Sequence, residues 1–89
     1  MSDQVSITLL LYAKARELIG SSSVIITVPS TVTNYLQLLE IIFSEQPRLG
    51  RLGDKFVLSL NENYIDREFE NLVLREGDEI AVIPPISGG

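Results

Sequence analysis

The sequence predicts an α+β domain in which one long helix lies across a single sheet. Three observations predict it. Short runs with apolar residues at every second position lie near the start, in the middle and near the end. Only one stretch, Ser30 to Pro47, sustains a helical period. The strand-like runs fall on both sides of that stretch, so the helix has several strands to cover.

Taken in order, Val5, Ile7, Leu9 and Leu11 alternate with Ser6, Thr8 and Leu10 and predict a strand with one firmly apolar face. Ala13 to Ile19 is rich in helix formers and stops at Gly20, a residue suited to the left-handed position that ends a helix. At about two turns, this helix needs tertiary support. Val24, Ile26 and Val28 predict a second strand, ended by Pro29 and able to pair with the first across the short connection. In the long helix, Thr33 or Asn34 is the N-cap, and Asn34 followed by Gln37 resembles a capping box. Leu36, Leu39 and Phe43, widened by Tyr35, Leu38 and Ile42, predict its core-facing stripe, and Pro47 closes it. Arg48 to Lys55 reads as a loop. Phe56, Leu58 and Leu60 predict a third strand, Asn61 to Asn63 a turn, and Tyr64–Ile65 a brief edge strand. Arg67 to Glu79 shows little period until Gly77, which suits a turn needing positive φ. Ile80 and Val82 begin a last strand, ended by Pro84 and Pro85. Tyr12, Tyr35 and Tyr64 fall within these patterns and are expected to pack. The order suits a β-grasp, ubiquitin-like architecture, and equally permits a split βαβ arrangement.

Composition narrows the chemistry. The 89 residues suffice for one domain, and 45% apolar content argues against disorder. With no Cys there is no disulfide framework or thiolate metal site, which fits a reducing compartment. With no His as well, the commonest general base and metal ligand are missing, so catalysis by the chain's own side chains is a poor reading. No phosphate-binding motif occurs, since Gly50 to Lys55 lacks the P-loop spacing. The opening residues have neither the basic region of a secretory signal nor an apolar run long enough to span a bilayer. A formal charge of −5, with acids gathered late in the chain, disfavours nucleic acid and anionic membranes and suits a basic protein partner. A cytoplasmic protein binding neither metal nor cofactor is the expectation.

The terminal carboxylate of Gly89 remains as a reactive group. Pro84 and Pro85 have fixed φ and no N–H, so they end sheet pairing and hold the chain extended. From Pro84 to Gly89 the chain reaches about 20 Å when extended. Ser87, Gly88 and Gly89 are thin, and two residues without Cβ pass a channel that larger side chains would block. The expected organisation is therefore a domain over residues 1–83 and a flexible Gly-Gly carrier tail over 84–89, which presents its carboxyl group inside another protein's active site.

The tail, Gly77, Asp78, Glu79, Ile80 and Ala81 followed by Pro84, Pro85, Ser87, Gly88 and Gly89, resembles the C-terminus of the MoaD-type sulfur carriers, the small subunits of molybdopterin synthase. The opening Ile7 to Gly20 is similar to theirs too, and the order of elements between agrees, while Leu49 to Asn71 matches in pattern only. The resemblance implies a β-grasp fold and a mechanism. An activating enzyme of the ubiquitin-E1-like type uses ATP to adenylate the Gly89 carboxylate, and a sulfurtransferase step converts it to a thiocarboxylate. The large synthase subunit takes up the tail and passes its sulfur to cyclic pyranopterin monophosphate, two rounds building the dithiolene of molybdopterin. On that scheme Gly89 carries the sulfur, Gly88 and Ser87 thread the channel, and Ile86, Pro85 and Pro84 set the exit from the sheet. The small subunit is then a non-catalytic donor in a heterotetramer of two large and two small subunits, with the catalytic groups on its partners. Related carriers leave other acceptors open. These are the thiazole of thiamin, or transfer RNA and protein lysines for the ubiquitin-related modifiers. A plain binding module with an inert tail is a further class.

Overall fold

The computed structural model describes residues 3–53 and 55–84. Strand β1 (Gln4–Leu11) leads into the short helix α1 (Ala13–Ile19). Strand β2 (Ser23–Pro29) and the two-residue β3 (Thr31–Val32) follow, then the long helix α2 (Tyr35–Glu45). A 3-10 segment, Pro47–Leu52, precedes β4 (Val57–Leu60) and β5 (Asn63–Tyr64). The two-residue β6 (Leu72–Val73) and the last strand β7 (Glu79–Ile83) complete the chain.

Five strands form one mixed sheet in the order β2-β1-β7-β4-β5. Strand β1 pairs antiparallel with β2 and parallel with β7, and β7 pairs antiparallel with β4. The last strand in sequence therefore lies at the centre, between the first and the fourth. This is the β-grasp arrangement, and it resolves the choice against a split βαβ unit. A second ladder, β3 with β6, lies apart from the main sheet.

Alternation decides which face of the sheet is covered. Ile7, Leu9 and Leu11 of β1, Ile26 and Val28 of β2, Leu58 of β4, and Ile80 and Val82 of β7 point inward and are buried. Helix α2 closes over them with Leu38 and Ile42, and Leu49 of the 3-10 segment seals one end. The ring of Phe43 meets that of Phe56 edge-on at 5.9 Å.

Several local expectations hold in detail. Gly20 ends α1 at φ 82°, its N–H bonded to the Arg16 carbonyl at 2.8 Å. Asn34 caps α2, with Gln37 N–H donating to Asn34 Oδ1 at 2.9 Å. The Gln37 side chain reaches back, although its Oε1 accepts from Thr33 N–H at 2.6 Å, one residue before the cap.

Others do not. Leu36 is 66% exposed, while Leu38 and Ile42 are fully buried. Residues 38 and 42 are four apart, which at about 100° per residue puts them on one face, and Leu36 points about 140° away from their mean direction. Arg48 to Leu52 is not an open loop: Pro47 starts a 3-10 turn there that drives Leu49 into the core. Tyr12 and Tyr64 are exposed, and only Tyr35 of the three tyrosines is half-buried. The short edge strand runs Asn63–Tyr64, one residue earlier than expected.

Among the residues at positive φ, Ala13 carries backbone strain that a substitution would release. Ala13, the first residue of α1, sits at φ 49°. A left-handed alanine costs roughly 1–2 kcal/mol, and glycine gives back about half of that in unfolded-state entropy. Ala13→Gly is expected to raise Tm by a few degrees in a thermal melt, whereas Ala→Gly elsewhere in a helix lowers it.

Candidate functional site

The site is built around β7, because the tail continues from its end. Ile80 and Val82 face the core, so Glu79, Ala81 and Ile83 face the opposite side of the sheet, which no described helix covers. Register places their neighbours. Leu10 of β1 lies beside Ala81, Ser59 of β4 lies on its other side, and Tyr64 of β5 lies beside Ser59. One row thus crosses four strands as Leu10, Ala81, Ser59, Tyr64. The two small residues in its middle leave a hollow of about 450 Å³, walled by Tyr12, Tyr64 and Ile83 and rimmed by Glu62 and Glu79. The tyrosine walls are exposed, Tyr64 at 78%, and the Ile83 wall is half-buried. A small floor between larger apolar walls is suited to receive a protruding apolar side chain.

The start of β7 is fixed by one asparagine. Asn61 and Glu62 form the two-residue turn between β4 and β5, both at positive φ (48° and 74°), as a hairpin of this length requires. Asn61 N–H donates to the Glu79 carbonyl at 2.8 Å, and Glu79 N–H donates to Asn61 Oδ1 at 2.9 Å. The remaining Asn61 Nδ2 donates to Asp78 Oδ1 at 3.1 Å, and Asp78 Oδ2 accepts from Arg75 N–H at 2.8 Å. One side chain therefore ties the hairpin turn to the strand that carries the tail. Asn61→Ala removes both side-chain bonds and puts a residue without turn chemistry at positive φ, at an expected cost of about 1–3 kcal/mol. Asn61→Gly keeps the turn and loses only the bonds, so urea unfolding should place it between alanine and the parent chain.

At the other end of β7, Ile83 pairs with Val57, and the buried Pro84 follows. Lys55, Phe56, Val57 and Arg67 line a second, mainly apolar hollow of about 380 Å³ around that exit. Arg67 is held there from two sides. Its Nη2 donates to the Phe56 carbonyl at 3.1 Å, and its guanidinium lies 5.5 Å from the Tyr35 ring centre. Burial raises the pKa of Tyr35, with the nearby Arg67 charge and hydrogen bond acting against the shift.

Of the residues singled out in the sequence, Pro84 is at this exit, with neither N–H nor room to extend the pairing. Pro85, Ile86, Ser87, Gly88 and Gly89 lie outside the described residues. Sequence reasoning missed the open face and the Asn61–Asp78 tie. A signal for the first was present, since Glu79, Ala81 and Ile83 alternate with the buried pair. Among the described residues no group of three or more His, Cys, Asp or Glu is placed to hold a metal ion, and no helix is long and apolar enough to cross a membrane.

The profile of the ThiS family matches residues 9–89. The chain belongs to the ThiS family. This family member is 39% identical to the human molybdopterin synthase sulfur carrier subunit, across 93% of each chain. It is 38% identical to the Dictyostelium discoideum protein of the same name, over the full length of both. Among solved structures, SAMP1 from Haloferax volcanii superposes with a TM-score of 0.73 at 26% identity, over 94% of this chain and 99% of that one. A complex of subunits 1 and 2 of molybdopterin-converting factor from Helicobacter pylori contains a chain matching at TM-score 0.63 and 21% identity, over 96% of this chain and all of that one, which speaks to the fold.

Proposed function

We propose that this ThiS-family chain is the sulfur carrier of a molybdopterin synthase, with Gly89 as the residue that bears sulfur. The observation that carries the reading is full-length similarity to proteins named for that role, joined to a chain that ends its central strand in Pro84-Pro85 and runs out through Ser87 to Gly88-Gly89. Chemistry supports it. A carboxylate is a poor acyl donor until ATP converts it to an acyl adenylate, releasing pyrophosphate. A sulfur donor then displaces AMP and leaves a thiocarboxylate, a soft nucleophile that no side chain of a Cys-free chain supplies. Each transfer to cyclic pyranopterin monophosphate returns the carboxylate, and two transfers furnish the two sulfurs of the dithiolene.

The chain contributes the carrier arm and a surface to hold it. The activating enzyme of E1 type contributes ATP and adenylation, and the large synthase subunit contributes the acid–base groups that a His-free chain lacks. The hollow floored by Ala81 and Ser59 is the docking face, next to the strand from which the tail departs. The assembly is a heterotetramer of two large and two small subunits acting in the cytoplasm. Incubation with an E1-type activating enzyme, ATP and a sulfur donor, followed by intact-mass spectrometry, should show one oxygen replaced by sulfur on the C-terminal peptide. An unchanged mass, with the enzyme active on its own carrier, would remove the sulfur from Gly89.

The likeness to SAMP1 favours one alternative, a modifier joined to protein lysines through Gly89. That reading predicts lysine adducts on a denaturing gel that persist in reducing agent, where the carrier reading predicts none.

A further inference from the structure

The chain is acidic as a whole, yet its cations are sorted to one end. Of its seven Lys and Arg residues, six lie around the end of β7 from which the tail leaves, and the seventh, Arg75, lies at the other end. The fold places them there. Leu11 pairs with Val82, so the turn into α1, with Lys14 and Arg16, lies beside the last residues of β7. The 3-10 segment packs on α1 and brings Arg48 and Arg51 to the same end. Lys55 and Arg67 line the exit hollow with Pro84. All six are exposed. Among the described residues the acids at that end are Glu17 of α1, Glu45 at the close of α2, and Asp66 and Glu68, which flank Arg67, so the six cations still outnumber them. About 13 Å away along β7, at four residues of strand rise, the sign reverses. Asp3, Glu62, Glu76, Asp78 and Glu79 stand there with Arg75 alone.

We infer that these six cations form a collar that seats the root of the tail on a carboxylate-bearing rim around the mouth of the partner's channel. The inference rests on the sulfur-carrier reading and deepens it. An apolar hollow alone fixes contact but not direction, because its row of Leu10, Ala81, Ser59 and Tyr64 runs across the strands rather than along them. Charge sorted along β7 supplies the missing direction. The collar meets acids at the mouth, the acidic end meets basic residues farther out, and a reversed approach brings like charges together. The tail then enters the channel on first encounter instead of pointing away from it. The acidic end fits the basic partner surface that overall charge suggests, while the collar requires the opposite sign at the mouth.

The test makes the same change of net charge at two different positions. Lys55→Glu and Arg75→Glu each change the charge by the same amount at opposite ends of β7, and neither side chain makes a hydrogen bond among the described residues. Association of the full chain with a purified molybdopterin synthase large subunit is followed by surface plasmon resonance at low and high salt, and dithiolene formation from the thiocarboxylated chain is assayed in parallel. Lys55→Glu should slow association about fivefold at low salt, with the loss disappearing at high salt, and Arg75→Glu should change it less than about twofold. Arg51→Glu serves as a second collar variant, with circular dichroism checking that each chain is folded. Equal effects at the two ends, or faster association of both collar variants, would overturn the collar. If both collar variants instead slow ATP-dependent adenylation and leave large-subunit association unchanged, the collar serves the nucleotide-bearing step and the acidic rim is wrong. If the parent chain itself neither binds nor yields product with a subunit active on its own carrier, the sulfur-carrier reading falls, and the collar's partner falls with it.

Discussion

Deleting Gly88 and Gly89 is expected to abolish sulfur transfer and leave the fold untouched. The expectation follows from where the deletion lies. Pairing of β7 ends at Ile83, opposite Val57, and the buried core is complete by Val82. Removing two residues beyond Pro85 takes away none of the core side chains and strand pairs of the described residues, so Tm should shift by less than about 0.5 kcal/mol would produce. The shortened tail loses about 7 Å of reach, two residues at extended spacing, so its carboxylate, now on Ser87, stops short of the partner's reacting centre. A loss of several orders of magnitude in dithiolene formation, with unchanged circular dichroism and unchanged Tm, is the predicted pair of results. A chain that keeps its activity after the deletion would be a binding module with an inert tail.

Ile42→Ala is the second large effect, and it acts on stability. Ile42 is wholly buried between α2 and the sheet, among Leu38, Leu49 and the inward strand residues. Truncation removes the buried methylenes and leaves a void that the sheet cannot fill, at a cost of about 2–5 kcal/mol. A domain of this size has about 5–15 kcal/mol to lose, so a fall in Tm of roughly 10–25 °C is expected. Leu36→Ala, on the same helix, should stay within about 0.5 kcal/mol because Leu36 already faces solvent. Measuring the two together by chemical denaturation tests the direction of the helix as well as the depth of the core. Equal losses would mean that α2 is rotated toward the stripe drawn through Leu36, Leu39 and Phe43.

That contrast also shows what a sequence can and cannot convey. Local chemistry was readable wherever one residue type has one job. Gly20 and Gly77 stand at positive φ, Asn34 caps α2, and Asn61 to Asn63 mark a turn. The long strands were readable from period two. The stripe of α2 was not, because a helix with Tyr35, Leu36, Leu38, Leu39, Ile41, Ile42 and Phe43 is apolar over most of its circumference, and several spacings fit it. Strands β3 and β6 left no signal, since a two-residue ladder has no period and is held by its partner alone. Tyr12 and Tyr64 were expected to pack because they continue apolar patterns, but they continue them onto the face that none of the described elements covers.

The site divides in the same way. The tail reading comes from consecutive residues, of which Pro84 is at the strand exit and residues 85–89 lie outside the described residues. The platform was not legible in the sequence, because the row of Leu10, Ala81, Ser59 and Tyr64 exists only once β7 is inserted between β1 and β4. The same insertion brings Lys55 and Arg67 to Pro84 and lets Asn61 clasp Glu79. Counting charges along the chain shows an acidic protein, and only the topology shows that its cations gather at one end.

The most direct measurement is a reconstitution with the Gly89 thiocarboxylate. The chain is prepared with sulfur on Gly89, mixed with a molybdopterin synthase large subunit and cyclic pyranopterin monophosphate, and assayed for the dithiolene product. The carrier account predicts product from the thiocarboxylate and none from the same chain bearing the ordinary carboxylate. No product from the thiocarboxylate, with a large subunit that works beside its own carrier, would contradict the assignment and turn attention to another acceptor for Gly89.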